Sequence, residues 1–227
     1  MKPPSVIAEP RPAQVVPAPP DRASSLKRLQ ALAAAIPRAA DLVVLGDSLA
    51  AGWPPACLPH AERVFNFGLP GDRVQNTLWR LRAIDTAHLR PRLTILLLGT
   101  NNLGDGDAPH AIVEGLEAVA AEARLTWRSP LLLLTIPQRG PPPGFREEAR
   151  LQINERLADL LSRQSCTDVL DTDAALAPRL DEPAPSLEPD LLHLSEAGYR
   201  RLGRALAAYL AREKLSAPAS AARADCP

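Results

Sequence analysis

Five short apolar runs, spaced along the chain and separated by longer amphipathic stretches, constrain the fold more than any other feature. Each run is five to seven residues long, and glycine or proline closes the first four. Runs of this length with such ends are typical of strands buried on both faces, because a buried helix needs about ten residues or more. The five predicted strands cover residues 41–46, 63–68, 93–99, 130–136 and 167–171.

Apolar residues recur at helical spacing in the stretches between and around these runs. Strands that alternate with amphipathic helices form right-handed crossover units, and such units build a parallel sheet covered by helices on both faces. The sequence therefore predicts an α/β fold of three layers, αβα, with a central parallel sheet of about five strands. The first predicted helix begins at Ser24 or Ser25 and ends at residue 35. The other predicted helices cover residues 74–84, 109–127, 146–163 and 195–213.

Proline is unusually frequent for a chain with this much core-forming sequence. The 227 residues contain 25 prolines and 12 glycines, and seven of the prolines fall within the first 20 residues. Proline lacks the backbone N–H that helices and ladders need, so a segment this rich in it is predicted to be extended. We therefore expect a disordered tail at residues 1–20, one domain at residues 21–214, and a disordered tail rich in Ala, Ser and Pro at residues 215–227.

Charge and cysteine content narrow the function classes. Lys and Arg total 26, as do Asp and Glu, so no net field favours nucleic acid or an anionic membrane. No apolar run reaches the length of a membrane span or of a secretory signal. Three cysteines without CxxC spacing argue against a disulfide framework or a zinc site. These features predict a cytoplasmic protein. No strand is followed by GxGxxG and no GxxxxGK[ST] is present, so dinucleotide binding is not expected, and we expect neither a metal nor a cofactor.

Small and polar residues follow each predicted strand, at the sheet edge where parallel sheets bind ligands. Ser48 comes directly after the first strand, where its hydroxyl can project into a cleft and its N–H can face developing negative charge. A helix-capping serine is the alternative. Gly71 and Asn101 follow the second and third strands and could supply a backbone and a side-chain donor to an oxyanion, although turn residues of these types are common.

A serine nucleophile needs a base, and His193 is the best candidate among the four histidines. It lies three residues after Asp190, in a loop before a helix that Ser195 can cap. Within a loop, this spacing lets the carboxylate bind one ring nitrogen while the other faces the serine. A helix-entry histidine with an unrelated aspartate is the alternative.

The order of these blocks along the chain resembles that of the SGNH (GDSL-type) hydrolases, which are named for a Ser, a Gly, an Asn and a His. Residues 65–81 are similar to catalytic subunits of intracellular platelet-activating-factor acetylhydrolase and their bacterial relatives. The resemblance extends over residues 41–210. The four matching blocks are Gly46-Asp-Ser48-Leu, Gly68-Leu-Pro-Gly71-Asp, Gly99-Thr-Asn101-Asn and Asp190-Leu-Leu-His193.

The resemblance implies a flavodoxin-like fold and a serine esterase acting on a small-molecule carboxylic ester. Ser48, His193 and Asp190 would form the catalytic triad, while Ser48, Gly71 and Asn101 would form the oxyanion hole. It also implies a homodimer. Apolar residues flank the catalytic blocks and could line a small acyl pocket, so we expect acetyl to butyryl esters to be preferred. These residues are Leu49, Leu103, Leu191 and Leu192.

Several alternatives stay open at this point. A carbohydrate O-deacetylase or a lysophospholipase would share the same superfamily pattern. A non-enzymatic binding module could use an inherited hydrolase fold. A cation site of a phosphatase-like enzyme could lie at Asp105 and Asp107, although two carboxylates fall short of a full ligand set. Arg80, Arg82 and Arg90 are predicted to be surface residues paired with nearby acids.

Overall fold

The computed structural model describes residues 12–59, 63–141, 144–161 and 163–213. Five parallel strands form one sheet in the order β2-β1-β3-β4-β5. Each predicted strand is present within two residues of its expected bounds, which confirms the predicted three-layer α/β fold. The strands are β1 Leu42–Gly46, β2 Val64–Gly68, β3 Leu93–Leu97, β4 Leu131–Leu134 and β5 Thr167–Leu170.

Eight α-helices accompany the sheet within the described ranges, besides two single 3-10 turns at Ala13–Val15 and Pro55–Cys57. The five predicted helices are present, and three short helices that periodicity could not predict follow strands directly. Segments of four to six residues are too short to show a helical repeat. The helices are α1 Ala23–Ala34, α2 Ser48–Ala51, α3 Val74–Ala83, α4 Thr100–Asp105, α5 Pro109–Trp127, α6 Glu147–Leu161, α7 Thr172–Leu176 and α8 Glu196–Arg212.

Alternation along the strands builds two apolar cores, one on each face of the sheet. Val43 and Leu45 of β1 point into the core beneath α3, α5 and α6. Leu42 and Val44 point the other way, into the core beneath α2 and α8. Every residue of β1 and β3 is buried, as expected for central strands covered on both faces.

The strand order places a crevice at the carboxyl end of the sheet. The chain passes from β1 to β2 on one side and then returns to form β3 on the other side of β1. At such a reversal the connections after β1 and β3 diverge, which leaves room for a ligand between them. Ser48 begins the helix after β1, and Asn101 lies in the helix after β3.

The folded part of the chain begins before Asp21, which differs from the predicted boundary. Ala18 N–H donates to the Gln75 carbonyl at 3.1 Å, and the Asn76 amide donates to the carbonyls of Ala18 and Pro19. Residues 12–20 are therefore packed on α3 despite their prolines. The Gln75 carbonyl accepts a backbone N–H from this segment, and the Asn76 amide donates to two of its carbonyls. Residues 1–11 and 214–227 of the two predicted tails lie outside the described residues.

The cysteines also differ from the sequence expectation. Cys57 is free and buried beside α8. Cys166 is disulfide-bonded. An odd cysteine count therefore did not exclude one disulfide. Among the described residues, none of the helices combines the length and apolar character needed to cross a membrane.

Candidate active site

Ser48 lies on a sharp turn from β1 into α2. Gly46 adopts φ +152°, and a Cβ there would lie 1.8 Å from the Leu97 carbonyl oxygen of β3, so only glycine fits. Asp47 caps α2, with Oδ1 accepting the Leu49 N–H at 2.9 Å. The predicted alternative for Ser48, a helix cap, is thus filled by its neighbour, and the Ser48 hydroxyl is available to the cleft.

His193 lies between Ser48 and Asp190. Its Nε2 is 3.1 Å from Ser48 Oγ, and its Nδ1 is 2.6 Å from Asp190 Oδ2. Asp190 Oδ1 also accepts the backbone N–H groups of Leu192 and His193. These hydrogen bonds, the one from the imidazole first, lower the pKa of Asp190 to about 2. An ionised Asp190 holds the proton of a neutral imidazole on Nδ1 and leaves the Nε2 lone pair to accept from the serine hydroxyl.

The loop that carries Asp190 and His193 is held by its own backbone. Glu188 N–H donates to the His193 carbonyl at 2.8 Å, and Leu191 N–H donates to the Glu188 carbonyl at 2.9 Å. Leu191 adopts φ +54°, an uncommon conformation for a side chain of this size. Ser195 then caps α8 by accepting the Gly198 N–H, as predicted. The loop is thereby fixed on both sides of the imidazole.

Gly71 and Asn101 lie at the same cleft as Ser48 and His193. Gly71 adopts φ +86° in the turn after β2, where a residue with a Cβ would be strained. Asn101 Nδ2 donates one hydrogen to the Asp72 carbonyl at 2.8 Å, which orients the amide beside the Gly71 turn. Within the described residues, the N–H groups of Ser48 and Gly71 donate to no protein acceptor.

A buried ion pair supports the Gly71 turn, and the sequence interpretation missed it. Arg80 is fully buried, not a surface residue as predicted, and its Nε lies 2.7 Å from Asp72 Oδ2. The guanidinium also donates to the carbonyls of Phe67 and Gly46 at 3.1 and 3.3 Å. One arginine thus connects the ends of β1 and β2 to the turn. Helical periodicity could not reveal this, because the partners of Arg80 come from other elements.

Asp47 is a second buried acid near the site. Its side chain is fully buried, and Oδ2 has no hydrogen-bond partner among the described residues. Burial raises the pKa of Asp47 to about 7, with a smaller contribution from the nearby Asp72 carboxylate. The carboxyl serves the backbone of the turn by accepting the Leu49 N–H.

Of the four leucines predicted to line an acyl pocket, three lie away from the cleft. Leu49 and Leu103 are buried in the two cores, because each faces the sheet from its helix. Leu191 is partly exposed outside the cleft, and Leu192 alone of the four lines it. The cleft has a volume of about 590 Å³. Its lining residues are Arg22, Ser24, Ser25, Arg28, Ser48, Ala51, Gly52, Pro70, Gly71, Asn101, Leu192 and His193.

Four of these lining residues come from α1 and the residue before it, a segment that the sequence interpretation treated only as scaffold. The signal was present in the sequence, since Arg22, Ser25 and Arg28 are spaced three apart and share a helix face. Which sheet edge that face meets depends on where α1 packs, and periodicity does not specify this.

The proposed cation site at Asp105 and Asp107 is engaged by protein groups. Asp105 pairs with Arg73, and Asp107 Oδ2 accepts the Asn102 amide at 2.8 Å. Among the described residues, no group of three or more His, Cys, Asp or Glu side chains is arranged to hold a metal ion.

Comparison with known proteins agrees with this architecture. The family model of the GDSL-like lipase/acylhydrolase family matches residues 44–201. Human platelet-activating factor acetylhydrolase IB subunit alpha1 is 31% identical over 150 residues, which are 65% of this chain and 63% of the human protein. The matched region therefore spans less than two thirds of that relative.

Two bacterial structures share the fold. One, described as an acylhydrolase from Bacteroides fragilis, superposes with a TM-score of 0.68 at 16% identity, covering 86% of this chain and 99% of that one. The other, a GDSL-like lipase from Bacteroides thetaiotaomicron, has a TM-score of 0.66 at 16% identity, with 82% and 97% covered. With most of its folded part matched by the family model, the chain belongs to the GDSL-like lipase/acylhydrolase family and is a hydrolase of the SGNH type.

Proposed function

We propose that the protein is a serine esterase that hydrolyses carboxylic esters with short acyl groups. The observation that carries the proposal is the continuous hydrogen-bonded series from Ser48 Oγ through His193 to Asp190, with separations of 3.1 and 2.6 Å. In this arrangement the serine proton has an acceptor, and the imidazolium that forms has a counter-charge. These three residues lie at the carboxyl end of the sheet, where the crevice between the connections after β1 and β3 leaves room for a substrate.

The reaction proceeds in two steps. Ser48 Oγ attacks the ester carbonyl while His193 Nε2 takes its proton, and the carbonyl oxygen becomes an oxyanion. The Ser48 and Gly71 N–H groups and the Asn101 amide are the donors for that oxyanion. When the intermediate collapses, His193 gives the proton to the departing alcohol and an acyl-enzyme remains. A water that His193 deprotonates then attacks the acyl-enzyme. When this second intermediate collapses, His193 returns the proton to Ser48 Oγ and the acid leaves.

Proton transfer by His193 requires that Asp190 is ionised during both steps of the reaction. Because the pKa of Asp190 is held at about 2, this carboxylate stays charged at any pH at which the protein would work. It therefore stabilises the imidazolium without itself taking the proton.

The short-acyl preference now rests on a different observation from the four leucines. Only Ala51, Pro70 and Leu192 offer apolar side chains among the residues that line the cleft. A long acyl chain would bury little apolar surface there, at about 0.8 kcal/mol for each CH₂ that leaves water. Acetyl to butyryl groups need no further apolar wall.

The first experiment compares ester turnover by the wild type and by Ser48→Ala. We expect the variant to lose activity by about 10⁴-fold or more, since the nucleophile is gone. Ser24→Ala, which removes a hydroxyl elsewhere in the same cleft, is the matched control and should retain activity. Equal turnover by wild type and folded Ser48→Ala would reject the serine mechanism and leave the binding-module alternative.

A second experiment measures kcat/KM for 4-nitrophenyl esters from acetyl to dodecanoyl. The maximum is expected between acetyl and butyryl, with a decline beyond hexanoyl. A maximum at ten carbons or more would contradict the short-acyl assignment without affecting the triad.

A further inference from the structure

The connection after β4 contains an arginine that contacts the helix carrying Asn101. Arg139 Nη1 donates to the Thr100 carbonyl of α4 at 2.9 Å. This carbonyl belongs to the peptide group that joins Thr100 to Asn101, and that group is planar, so the hydrogen bond fixes the backbone from which the Asn101 side chain projects. Arg139 is not among the residues that line the cleft. Any effect it has on a bound ester therefore acts through α4.

The helix α4 has little of its own to hold its first residue in place. It has six residues, and isolated helices of that length are unstable in water. Gly99 precedes it with φ +115°, and no side chain caps this end. The Thr100 hydroxyl is buried without a hydrogen-bond partner among the described residues, so it does not anchor the helix either. Arg139 thus supplies a contact at the helix start that the sequence of α4 lacks.

The guanidinium of Arg139 lies in a site that is shaped for it. A Cβ placed on Gly104 would lie 2.6 Å from Arg139 Nη1, so the missing side chain lets the guanidinium lie against α4. Its central carbon is 5.2 Å from the centre of the Phe145 ring, and the Phe145 N–H donates to the Arg139 carbonyl at 2.7 Å. Within the described residues, no carboxylate pairs with this guanidinium. The contact with the Thr100 carbonyl, not an ion pair, therefore accounts for its position.

The residue after Arg139 contacts the loop of the catalytic base. Gly140 adopts φ +77° and donates its N–H to the Leu191 carbonyl at 2.7 Å. Leu191 lies between Asp190 and His193 in the chain. One peptide bond joins Arg139 to Gly140, so these two neighbours connect α4 to the loop that carries the proposed base.

We propose that Arg139 is a positioning residue, which holds the Thr100–Asn101 peptide so that the Asn101 amide faces the oxyanion. The Asp72 carbonyl orients the amide end of this side chain, and Arg139 fixes its backbone end. The inference rests on the proposed esterase function and adds to it a residue outside the cleft. Because Arg139 touches neither the ester nor the reacting atoms, its effect on catalysis requires Asn101.

A double-mutant cycle measures this requirement. The compared quantity is kcat/KM for 4-nitrophenyl acetate, in the full chain as wild type, Asn101→Ala, Arg139→Gln and the double variant. Asn101→Ala should lower kcat/KM by about 10²–10³-fold, as expected for the loss of one oxyanion donor. Arg139→Gln should lower it by about tenfold, and Arg139→Lys, which keeps a cationic donor, should recover part of that loss. The double variant should match Asn101→Ala within about twofold, because the group that Arg139 positions is gone.

Gly104→Ala separates positioning from stability. Alanine is a better helix former than glycine, so the melting temperature of this variant should not fall. The added methyl group displaces the guanidinium from the Thr100 carbonyl. We therefore expect kcat/KM to fall about threefold or more in the wild-type background, and to stay unchanged when Arg139 is already glutamine.

Arg146→Gln is the matched control. Arg146 comes from the same connection and donates to the Leu103 carbonyl at 2.8 Å, so it holds α4 away from the Thr100–Asn101 peptide. This variant should lower the melting temperature but change kcat/KM by less than about threefold.

Three results would overturn the positioning role. The losses could multiply in the double variant, Arg139→Gln could be as active as wild type, or Arg146→Gln could lower kcat/KM as much as Arg139→Gln does. If Arg139→Gln does not fold, Gly104→Ala decides, and an unchanged kcat/KM in that variant would reject the role. Failure of the proposed function is a different result, in which wild type shows no turnover that depends on Ser48.

Discussion

The polar side chains at this cleft form hydrogen bonds with partners that are distant in sequence. Ser48 and His193 are 145 positions apart and meet at 3.1 Å. Arg80 and Asp72 lie eight positions apart and are both nearly fully buried, beneath the turn that carries Gly71. The Arg80–Asp72 pair thus supports a turn that lines the same cleft as Ser48 and His193, which connects stability to the geometry of the cleft.

Arg80→Leu is predicted to destabilise the protein by about 3–5 kcal/mol, because Asp72 would be left as an unpaired buried carboxylate. Urea denaturation followed by circular dichroism measures this loss. The double variant Arg80→Leu/Asp72→Asn removes the stranded charge and should be more stable than Arg80→Leu alone. A double variant less stable than the single one would show that the hydrogen bonds of Arg80, not its charge, govern the loss.

Asp47 gives a pH-dependent prediction. Burial raises its folded-state pKa to about 7, above the ordinary value of 3.8. Between those two pH values the folded protein holds a proton that the unfolded chain releases, so stability falls as pH rises through this window. The contribution is on the order of 4 kcal/mol, at about 1.4 kcal/mol per pKa unit.

The side chain in Asp47→Asn cannot ionise, so the free energy of unfolding of this variant should depend less on pH. Unfolding free energies of both proteins at pH 4.5, 6 and 8 give the difference. We expect the variant to gain stability relative to wild type as pH rises. A difference that is constant with pH would mean that Asp47 is ionised throughout.

At the scale of elements, α8 holds the catalytic loop in place. Arg201 of α8 is 2% exposed and donates to the carbonyls of Ala184 and Leu176, and it also contacts Ser186 and Glu182. On the same helix, Tyr199 donates to the Leu49 carbonyl at 2.9 Å, which ties α8 to α2. The helix therefore fixes both the loop that carries His193 and the helix that carries Ser48.

Arg201→Leu is predicted to lower kcat and to destabilise the protein by about 2–4 kcal/mol, because several loop carbonyls lose a buried donor. Arg204→Leu is the matched control. Arg204 is half exposed and pairs with Glu182 at the surface, so its removal should cost at most about 1 kcal/mol. Labelling of Ser48 by a fluorophosphonate should slow in the first variant only. Equal labelling rates in both would limit Arg201 to a purely structural role.

At the scale of the whole molecule, the segment before α1 belongs to the folded unit. Residues 12–20 contribute hydrogen bonds to Gln75 and Asn76 of α3. Deleting residues 1–20 should therefore cost about 1–2 kcal/mol more than deleting residues 1–11, as two or three partly exposed hydrogen bonds are lost. Thermal melts of the two truncations measure the difference, and coincident melts would place the boundary of the domain at residue 21 after all.

Two expectations about the whole molecule stay predictions. The homodimer implied by the family resemblance is tested by light scattering during gel filtration, where twice the mass of one chain is expected. The cytoplasmic location is tested by cell fractionation.

The sequence by itself determined the fold class and located the four blocks that carry Ser48, Gly71, Asn101 and His193. Glycine and proline mark the ends of β1 to β4, and apolar periods of two kinds distinguish strands from helices, because both signals are local. Ser48, Gly71 and Asn101 follow successive strands, and because parallel strands end at one edge of the sheet, the sequence also places these residues at a common edge. Short helices such as α2 escaped prediction because one turn carries no period.

The tertiary structure alone decided which side chains share a surface. It buried Arg80, placed Leu49 and Leu103 in the cores, and turned Arg22, Ser25 and Arg28 of the α1 segment toward the cleft. Burial and charge pairing depend on packing between elements far apart in the chain, and a local pattern carries no information about that packing. The blocks that carry Ser48, Asp190 and His193 could therefore be located from sequence, whereas the residues that line the cleft beside them could not.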